Sequence, residues 1–330
     1  MSALRPELAA ALATLYADAR VETLPGDASA RRFHRLFLDD GGSRIVMDYG
    51  APFVDETDDV RLARIFERGA LPVARVLDVL PDAGAIVLED LGDTTLEVAV
   101  ARDGSERRAD RGALYRDAVR LAVAIGARGT AALSASERGS GPALDEERFR
   151  FEMDFFLRHY VTDYLGRKDD RPGLRDALYG LARDAAAHPR VLCHRDYHSR
   201  NIMVRSDGSL AMVDIQDARW GPDTYDLASL LRDAYVDLDE READDLFGLY
   251  WTLLPGRPDR RAMRFRFELT SAQRMIKALG TFGYQVAGLG RSRYREALDR
   301  TAERLTRILP AQRSTLALFR ELDGARILVS

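Results

Sequence analysis

Asp196, Asn201 and Asp214 stand five and thirteen residues apart in the run His194-Arg195-Asp196-Tyr197-His198-Ser199-Arg200-Asn201 and its sequel Val213-Asp214-Ile215-Gln216. Their types suit phosphoryl transfer. One carboxylate must orient an attacking hydroxyl and accept its proton, while an amide oxygen and a second carboxylate hold Mg²⁺ against a triphosphate. A short hairpin between Asn201 and Asp214 would fold both metal ligands back toward one place. Such a transfer needs little beyond positioning and charge neutralisation, so three residues suffice. Asp196 is thus the candidate catalytic base, with Asn201 and Asp214 the candidate magnesium ligands. The bland alternative is a polar hairpin that happens to hold acids.

The spacing H-R-D-x-x-x-x-N followed by a second aspartate is that of kinase catalytic loops. A zinc-protease reading of His194 and His198 fails, because no glutamate follows the first histidine. His194 is expected to prop the loop. No Walker A motif occurs, so ATP must be handled by another route. In the kinase plan the loop Gly26-Asp27-Ala28-Ser29-Ala30-Arg31-Arg32 covers the phosphates with its backbone, the Ser29 hydroxyl and an arginine. It has one glycine rather than three. The third strand reads Arg44-Ile45-Val46-Met47-Asp48, with Met47 where a phosphate-pairing lysine should stand. The chain has only two lysines, Lys168 and Lys277, and neither is nearby. Arg31, Arg32 or Arg44 is expected to replace it, and Arg32 is favoured because a guanidinium grips phosphate bidentately. Adenine is expected to pair with backbone groups at Glu89, Asp90 and Leu91, where the fifth strand ends.

These residues need a scaffold, and the pattern supplies one. Leu4, Leu8, Leu12 and Leu15 have helical spacing, and a short strand then closes at Pro25-Gly26. Strands at 31–38 and 44–49 flank the turn Asp39-Asp40-Gly41-Gly42. A helix follows at 56–68, its front end rich in aspartate as the helix dipole favours. Strands at 73–80 and 85–89 complete a small lobe, residues 1–92. Beyond Gly92 helices dominate (94–101, 111–132, 145–164, 173–187 and from Tyr225 onward), broken by a β island at 191–193, 202–204 and 210–213. Arg138 to Pro142 reads as a flexible loop. The expected fold class is α+β: a bilobal protein-kinase-like fold with a small antiparallel-sheet N-lobe (1–92) and a mostly helical C-lobe (93–330) carrying the catalytic loop and acceptor site.

The totals exclude several classes. In 330 residues the net charge is −4, which argues for neither nucleic acid nor an anionic membrane as partner. Cys193 is the single cysteine, so no disulfide framework can form within the chain. No run approaches the roughly 18 apolar residues of a membrane span, and no signal-peptide pattern opens the chain. A cytoplasmic protein is expected.

Three stretches, 26–35 (GDASARRFHR), 88–92 (LEDLG) and 194–235, together resemble the aminoglycoside phosphotransferase-like, or choline kinase-like, superfamily. Within it the chain looks most similar to the anomeric N-acetylmuramate/N-acetylglucosamine kinases of cell-wall recycling. The resemblance implies ATP- and Mg²⁺-dependent phosphorylation of a sugar C1 hydroxyl, with product passing to a sugar-1-phosphate nucleotidyltransferase. His198, Arg200, Asp217, Trp220, Arg232 and Asp233 are the acceptor-side candidates in that layout, with Asp226 bracing the catalytic loop. Trp220 could stack on a sugar ring or lie in the core. The seven basic residues from Arg257 to Lys277 suit a substrate carboxylate better than a polycation, unless they simply cover the surface. Another small-alcohol or aminoglycoside kinase, or a nucleotide-binding pseudokinase, remains an alternative; Met47 and the glycine-poor loop favour the last.

Overall fold

Helix α1 (Pro6–Leu15) places Leu8 and Leu12 one turn apart, and both are buried. They pack on one face of an antiparallel sheet built from β1 (Arg20–Thr23), β2 (Arg32–Phe37), β3 (Ser43–Asp48), β4 (Val76–Leu80) and β5 (Ala85–Glu89), in the order β1-β2-β3-β5-β4. Strand alternation sorts the side chains. Leu36, Val46 and Val87 join Leu8 and Leu12 on one face. Met47 and Ile86 face the other way, against Val60 of α2 (Asp58–Arg68). The α2 N-terminus is capped by Thr57, and Asp58 and Asp59 fill its first turn, where the helix dipole favours acids.

The computed structural model describes residues 4–24, 31–101, 105–140, 142–168 and 172–328. It divides into two units, Met1–Thr94 with Ile202–Gln216, and Thr95–Asn201 with Asp217–Ser330. The expected division at residue 92 left the whole β island with the helical lobe. Instead the hairpin of β7 (Ile202–Val204) and β8 (Leu210–Met212) belongs to the sheet unit. The reason is backbone pairing: Val204 N donates to Thr94 O (2.8 Å), Met212 N to Pro72 O (2.8 Å) and Ala74 N to Met212 O (3.3 Å). Arg205 adds an ion pair to Glu89 at 3.2 Å.

The second unit is helical: α3 (Leu96–Val100), α4 (Ser105–Ala124), α5 (Thr130–Ala132), α6 (Ala135–Ser140), α7 (Glu146–Phe156), α8 (Pro172–Ala186), α9 (Tyr225–Leu231), α10 (Glu240–Leu253), α11 (Arg260–Gly283), α12 (Arg295–Ile308) and α13 (Leu316–Gly324). Helices α7 and α11 both run on into π-helical segments, Leu157–Tyr164 and Tyr284–Gly288. Their approach depends on Gly283, where a Cβ would fall 2.6 Å from the His159 carbonyl oxygen. The segment expected as a loop from Arg138 begins inside α6. Ser134 and Glu137 cap each other reciprocally (Ser134 N to Glu137 Oε2, 2.6 Å; Glu137 N to Ser134 Oγ, 3.2 Å), which is enough to start a short helix. The expected strand at 191–193 is β6 (Arg190–Cys193), and it pairs with β9 (Arg219–Pro222), which the periodicity missed; the two frame the 194–201 loop on both sides. Gly221 and Pro222 weaken the strand signal of β9, and Gly221 is needed because a Cβ there would meet Leu144 at 2.7 Å. Among the described residues no helix is long and apolar enough to cross a membrane.

Candidate active site

The loop after β6 is held by the first turns of α9 and the residues that follow it. Asp226 accepts from the amides of His194 (2.8 Å) and Arg195 (3.0 Å). Ser229 Oγ donates to Arg195 O (3.2 Å), and Asp233 accepts from Ser199 N (2.8 Å) and Tyr235 N (2.8 Å). Asp226, Ser229 and Asp233 stand at i, i+3 and i+7, and all three are buried. These bonds tie down Arg195, whose φ of +79° is costly for a side chain with a Cβ. Strain there persists because both neighbouring peptide groups are clamped. His194 is fully buried with its ring edge-on to Tyr197, whose hydroxyl donates to Ala118 O at 2.8 Å. Asn201 Nδ2 donates to Asp196 O (3.0 Å), which fixes the amide and turns its oxygen away.

Asp196 meets two cations from α11. Lys277 Nζ lies 2.9 Å and Arg274 Nη1 3.2 Å from its Oδ1. Arg274 also donates to Arg195 O (2.9 Å) and lies over the Tyr225 ring. Burial opposes the Asp196 charge, yet Lys277, Arg274 and Arg195 hold its pKa well below the usual carboxylate range. The Lys277 ammonium is itself drawn down by burial, against the pull of Asp196. Asp196 and Lys277 border a pocket of about 120 Å³ inside the helical unit, lined also by His198, Asp233, Tyr235, Arg274 and Phe282. Arg274, Lys277, Ala278 and Thr281 share one face of α11 by the i, i+3, i+4, i+7 rule. The two cations escaped the motif reading. Their sequence signals are that they close the basic run from Arg257 to Lys277, and that Lys277, one of two lysines, sits three residues from an arginine on a long helix.

Of the six acceptor-side candidates, three line this pocket: His198, Arg232 and Asp233. His198 packs edge-on to Tyr235, and burial pushes its pKa down. The Arg232 guanidinium is paired with Glu240 through two 3.0 Å bonds, and Asp233 spends both oxygens on amides, so both shape the wall. Arg200 instead pairs with Glu97 (2.7 and 3.0 Å) and stacks 3.6 Å over the Tyr235 ring, acting on the pocket through that ring. Asp217 is bound by Arg195 (2.7 Å) and Arg219 (2.8 Å). Trp220 is half-buried in β9, paired with Leu192, and is not part of the pocket lining.

In the sheet unit, Met47 has an arginine beside it. Arg31 Nη1 lies 3.7 Å from Met47 Sδ and 3.0 Å from Asp59 Oδ1. Asp59 also accepts from the Tyr49 hydroxyl at 2.7 Å. Burial raises the Asp59 pKa, with the nearby Asp214 charge adding to it and Arg31 opposing. Arg32 and Arg44 are on the other face. Their register partners Asp48 and Leu36 and their alternation with Phe33 and Ile45 turn them toward α1, so Arg32, the favoured candidate, does not share the face of Met47. Asp214 ends the hairpin with φ +62°, and Gln216 Nε2 donates to its Oδ1. Pairing of Ile202 with Met212 brings the two ends of the hairpin together, so Asn201 and Asp214 flank one end of it. Asp90 accepts from Ser43 Oγ (2.7 Å) and Gly92 N (2.9 Å) and pairs with Arg35 (2.7 Å), bracing the end of β5. Glu89 pairs with Arg75 as well as Arg205, and Leu91 follows half-buried. Ser29 lies outside the described residues.

Comparison with known proteins places the chain in a family. The model of the phosphotransferase enzyme family matches residues 20–266. An N-acetylmuramate/N-acetylglucosamine kinase of Neisseria meningitidis serogroup B is 31% identical over 290 residues, 86% of this chain and 83% of that one. A protein of the same name from Pseudomonas aeruginosa is 30% identical, covering 83% and 79%. The crystal structure of choline kinase LicA from Streptococcus pneumoniae superposes with a TM-score of 0.59 at 13% identity, over 89% of this chain and 96% of that one, so the two share a fold. The length of the family match and the identity of these relatives make the chain a member of the phosphotransferase enzyme family.

Proposed function

We propose that this phosphotransferase is a cytoplasmic, ATP- and Mg²⁺-dependent kinase that phosphorylates the anomeric hydroxyl of N-acetylmuramate, N-acetylglucosamine or both. The observation that carries the reading is Asp196 at the pocket wall, one oxygen tied to Lys277 and Arg274. A carboxylate kept ionised in this way can take the acceptor proton with its second oxygen. The sugar oxygen then bonds to the γ-phosphorus, the bond from that phosphorus to the bridging oxygen breaks, and ADP leaves with the electron pair. Asn201 and Asp214 would hold Mg²⁺, which when bound neutralises charge on the phosphates. One carboxylate and one amide suit an ion that keeps phosphate oxygens and waters as its other ligands.

The relatives named as N-acetylmuramate/N-acetylglucosamine kinases support the choice of sugar. So does the charge of the pocket, since Lys277 and Arg274 are poor company for a polycationic aminoglycoside or a quaternary amine. The test is ADP release across a panel of acceptors, followed by phosphorus NMR of the product. A C1 phosphate from either amino sugar is expected. Turnover of choline or an aminoglycoside with both sugars inert, or phosphate at C6, would reject the assignment.

A further inference from the structure

A chain with methionine at the lysine position of its third strand must bind the triphosphate by other means, if the ATP-dependent reading above is right. We propose that Arg31, reaching over Met47 from the entrance of β2, takes the place of that lysine, and that Asp59 of α2 is its partner. In kinases the third-strand lysine pairs with an acid of the following helix and with the phosphates at once. Here the same relation is rebuilt from a neighbouring strand. Arg31 Nη1 is 3.0 Å from Asp59 Oδ1 and 3.7 Å from Met47 Sδ, and the guanidinium lies 5.3 Å over the Tyr49 ring. Asp59 is 7% exposed and anchored by the Tyr49 hydroxyl, so the acid is fixed while the arginine, 25% exposed, reaches the surface.

Two further facts point the pair at phosphate. Asp214, the candidate metal ligand, belongs to the same unit and is near enough for its charge to act on Asp59. Strand parity then excludes the rivals: Arg32 and Arg44 alternate onto the α1 face, whereas Arg31 shares the Met47 face. A guanidinium presents five N–H groups in a planar fork, so it can bridge a carboxylate and a phosphate oxygen. Arg31, just ahead of β2, thus stands on the same face as Met47 of β3, whose thioether cannot pair with phosphate.

The experiment is calorimetric titration of the full chain with Mg-ATP and, separately, adenosine, with no acceptor present. Arg31→Met should weaken ATP roughly 10- to 100-fold, the worth of a charge-assisted contact, and change adenosine less than about twofold. Arg32→Met should leave both alone. The decisive variant is Arg31→Met/Met47→Lys, which returns a lysine to the ordinary place beside Asp59 and should regain most of the lost affinity. Thermal unfolding of each variant checks folding, and Arg31→Lys, which keeps the charge, serves if Arg31→Met does not fold; its ATP affinity should fall between the two. Equal ATP affinity in wild type and Arg31→Met, or a loss confined to Arg32→Met, overturns the proposal. Wild type that binds no ATP would instead overturn the kinase reading on which it rests.

Discussion

Lys277→Met removes the ammonium beside Asp196 while keeping most of the side chain. At 2.9 Å and an effective dielectric near 20, the gross attraction is about 6 kcal/mol. Desolvation of the ammonium offsets most of it, and the net worth of a hydrogen bond to a charged group is roughly 1.5–3 kcal/mol. Arg274 remains 3.2 Å away, so the carboxylate is not left unpaired and the variant should fold. We expect kcat/KM for the acceptor to fall about 10- to 100-fold at pH 8. The pH dependence is the sharper readout. Asp196 has a depressed pKa because cations surround it, Lys277 first among them, so it stays ionised as the pH falls well below neutral. Without Lys277 it takes up a proton at higher pH, and the acid limb of the kcat/KM profile moves upward. Lys277→Arg should keep the limb near its original position. ADP release at saturating ATP, followed from neutral pH down through the carboxylate range where the Asp196 limb lies, measures this, and ionisation of ATP cancels because it is common to every variant. An acid limb that stays put in Lys277→Met, or shifts equally in Lys277→Arg, refutes the reasoning.

Asp226→Ala leaves the buried amides of His194 and Arg195 without an acceptor, at a cost of about 2–5 kcal/mol in urea unfolding; a loss under about 1 kcal/mol would mean the loop is held elsewhere. Burial lowers the His188 pKa from 6.5 to about 4, so the unfolded chain binds the extra proton first. Stability from this group is complete above pH 6.5 and declines toward pH 4, by about 2–3 kcal/mol after allowance for partial exposure. His188→Gln should flatten that part of the stability profile, and an unchanged slope would clear His188 of the effect. Trp220→Phe should alter the acceptor KM less than about twofold, because Trp220 does not line the pocket; a larger rise in KM would return it to the binding surface.

The course of the 194–214 segment was legible because its demands are local. Five residues set the distance from Asp196 to Asn201, and a hairpin of fixed register sets the return to Asp214. The brace from Asp226 followed from the layout that the resemblance implied, and its bonds to the amides of His194 and Arg195 bear it out. What stayed hidden depends on distant packing. Lys277 lies 81 residues from Asp196, and no spacing rule brings α11 to the loop. Which of Arg31, Arg32 and Arg44 shares the Met47 face was within reach, since alternation along β2 and β3 separates them. Preferring Arg32 weighed the chemistry of a guanidinium and neglected which face it occupies. Trp220 was left between a sugar ring and the core for a different reason: its strand ends in Gly221-Pro222, so β9 did not read as a strand and its half-buried place there was not foreseen. Arg200 and Asp217 carry the right charge for a ligand, but Glu97, Arg195 and Arg219 already claim them.

The excursion of the chain from Ile202 to Gln216 determines how this protein can be taken apart. A gene cut after Thr94 encodes a sheet with no partner for the main chain at Pro72, Ala74 and Thr94, and with Val73 stripped of its bridge to Met212. The complementary piece would carry the β7–β8 hairpin without the backbone groups at Pro72, Ala74 and Thr94 that it bonds. Neither half is a domain in the genetic sense, although each is in the spatial one. Splicing the fifteen-residue excursion behind Thr94 through a flexible linker, and closing the gap it leaves, is the cut that respects the contacts.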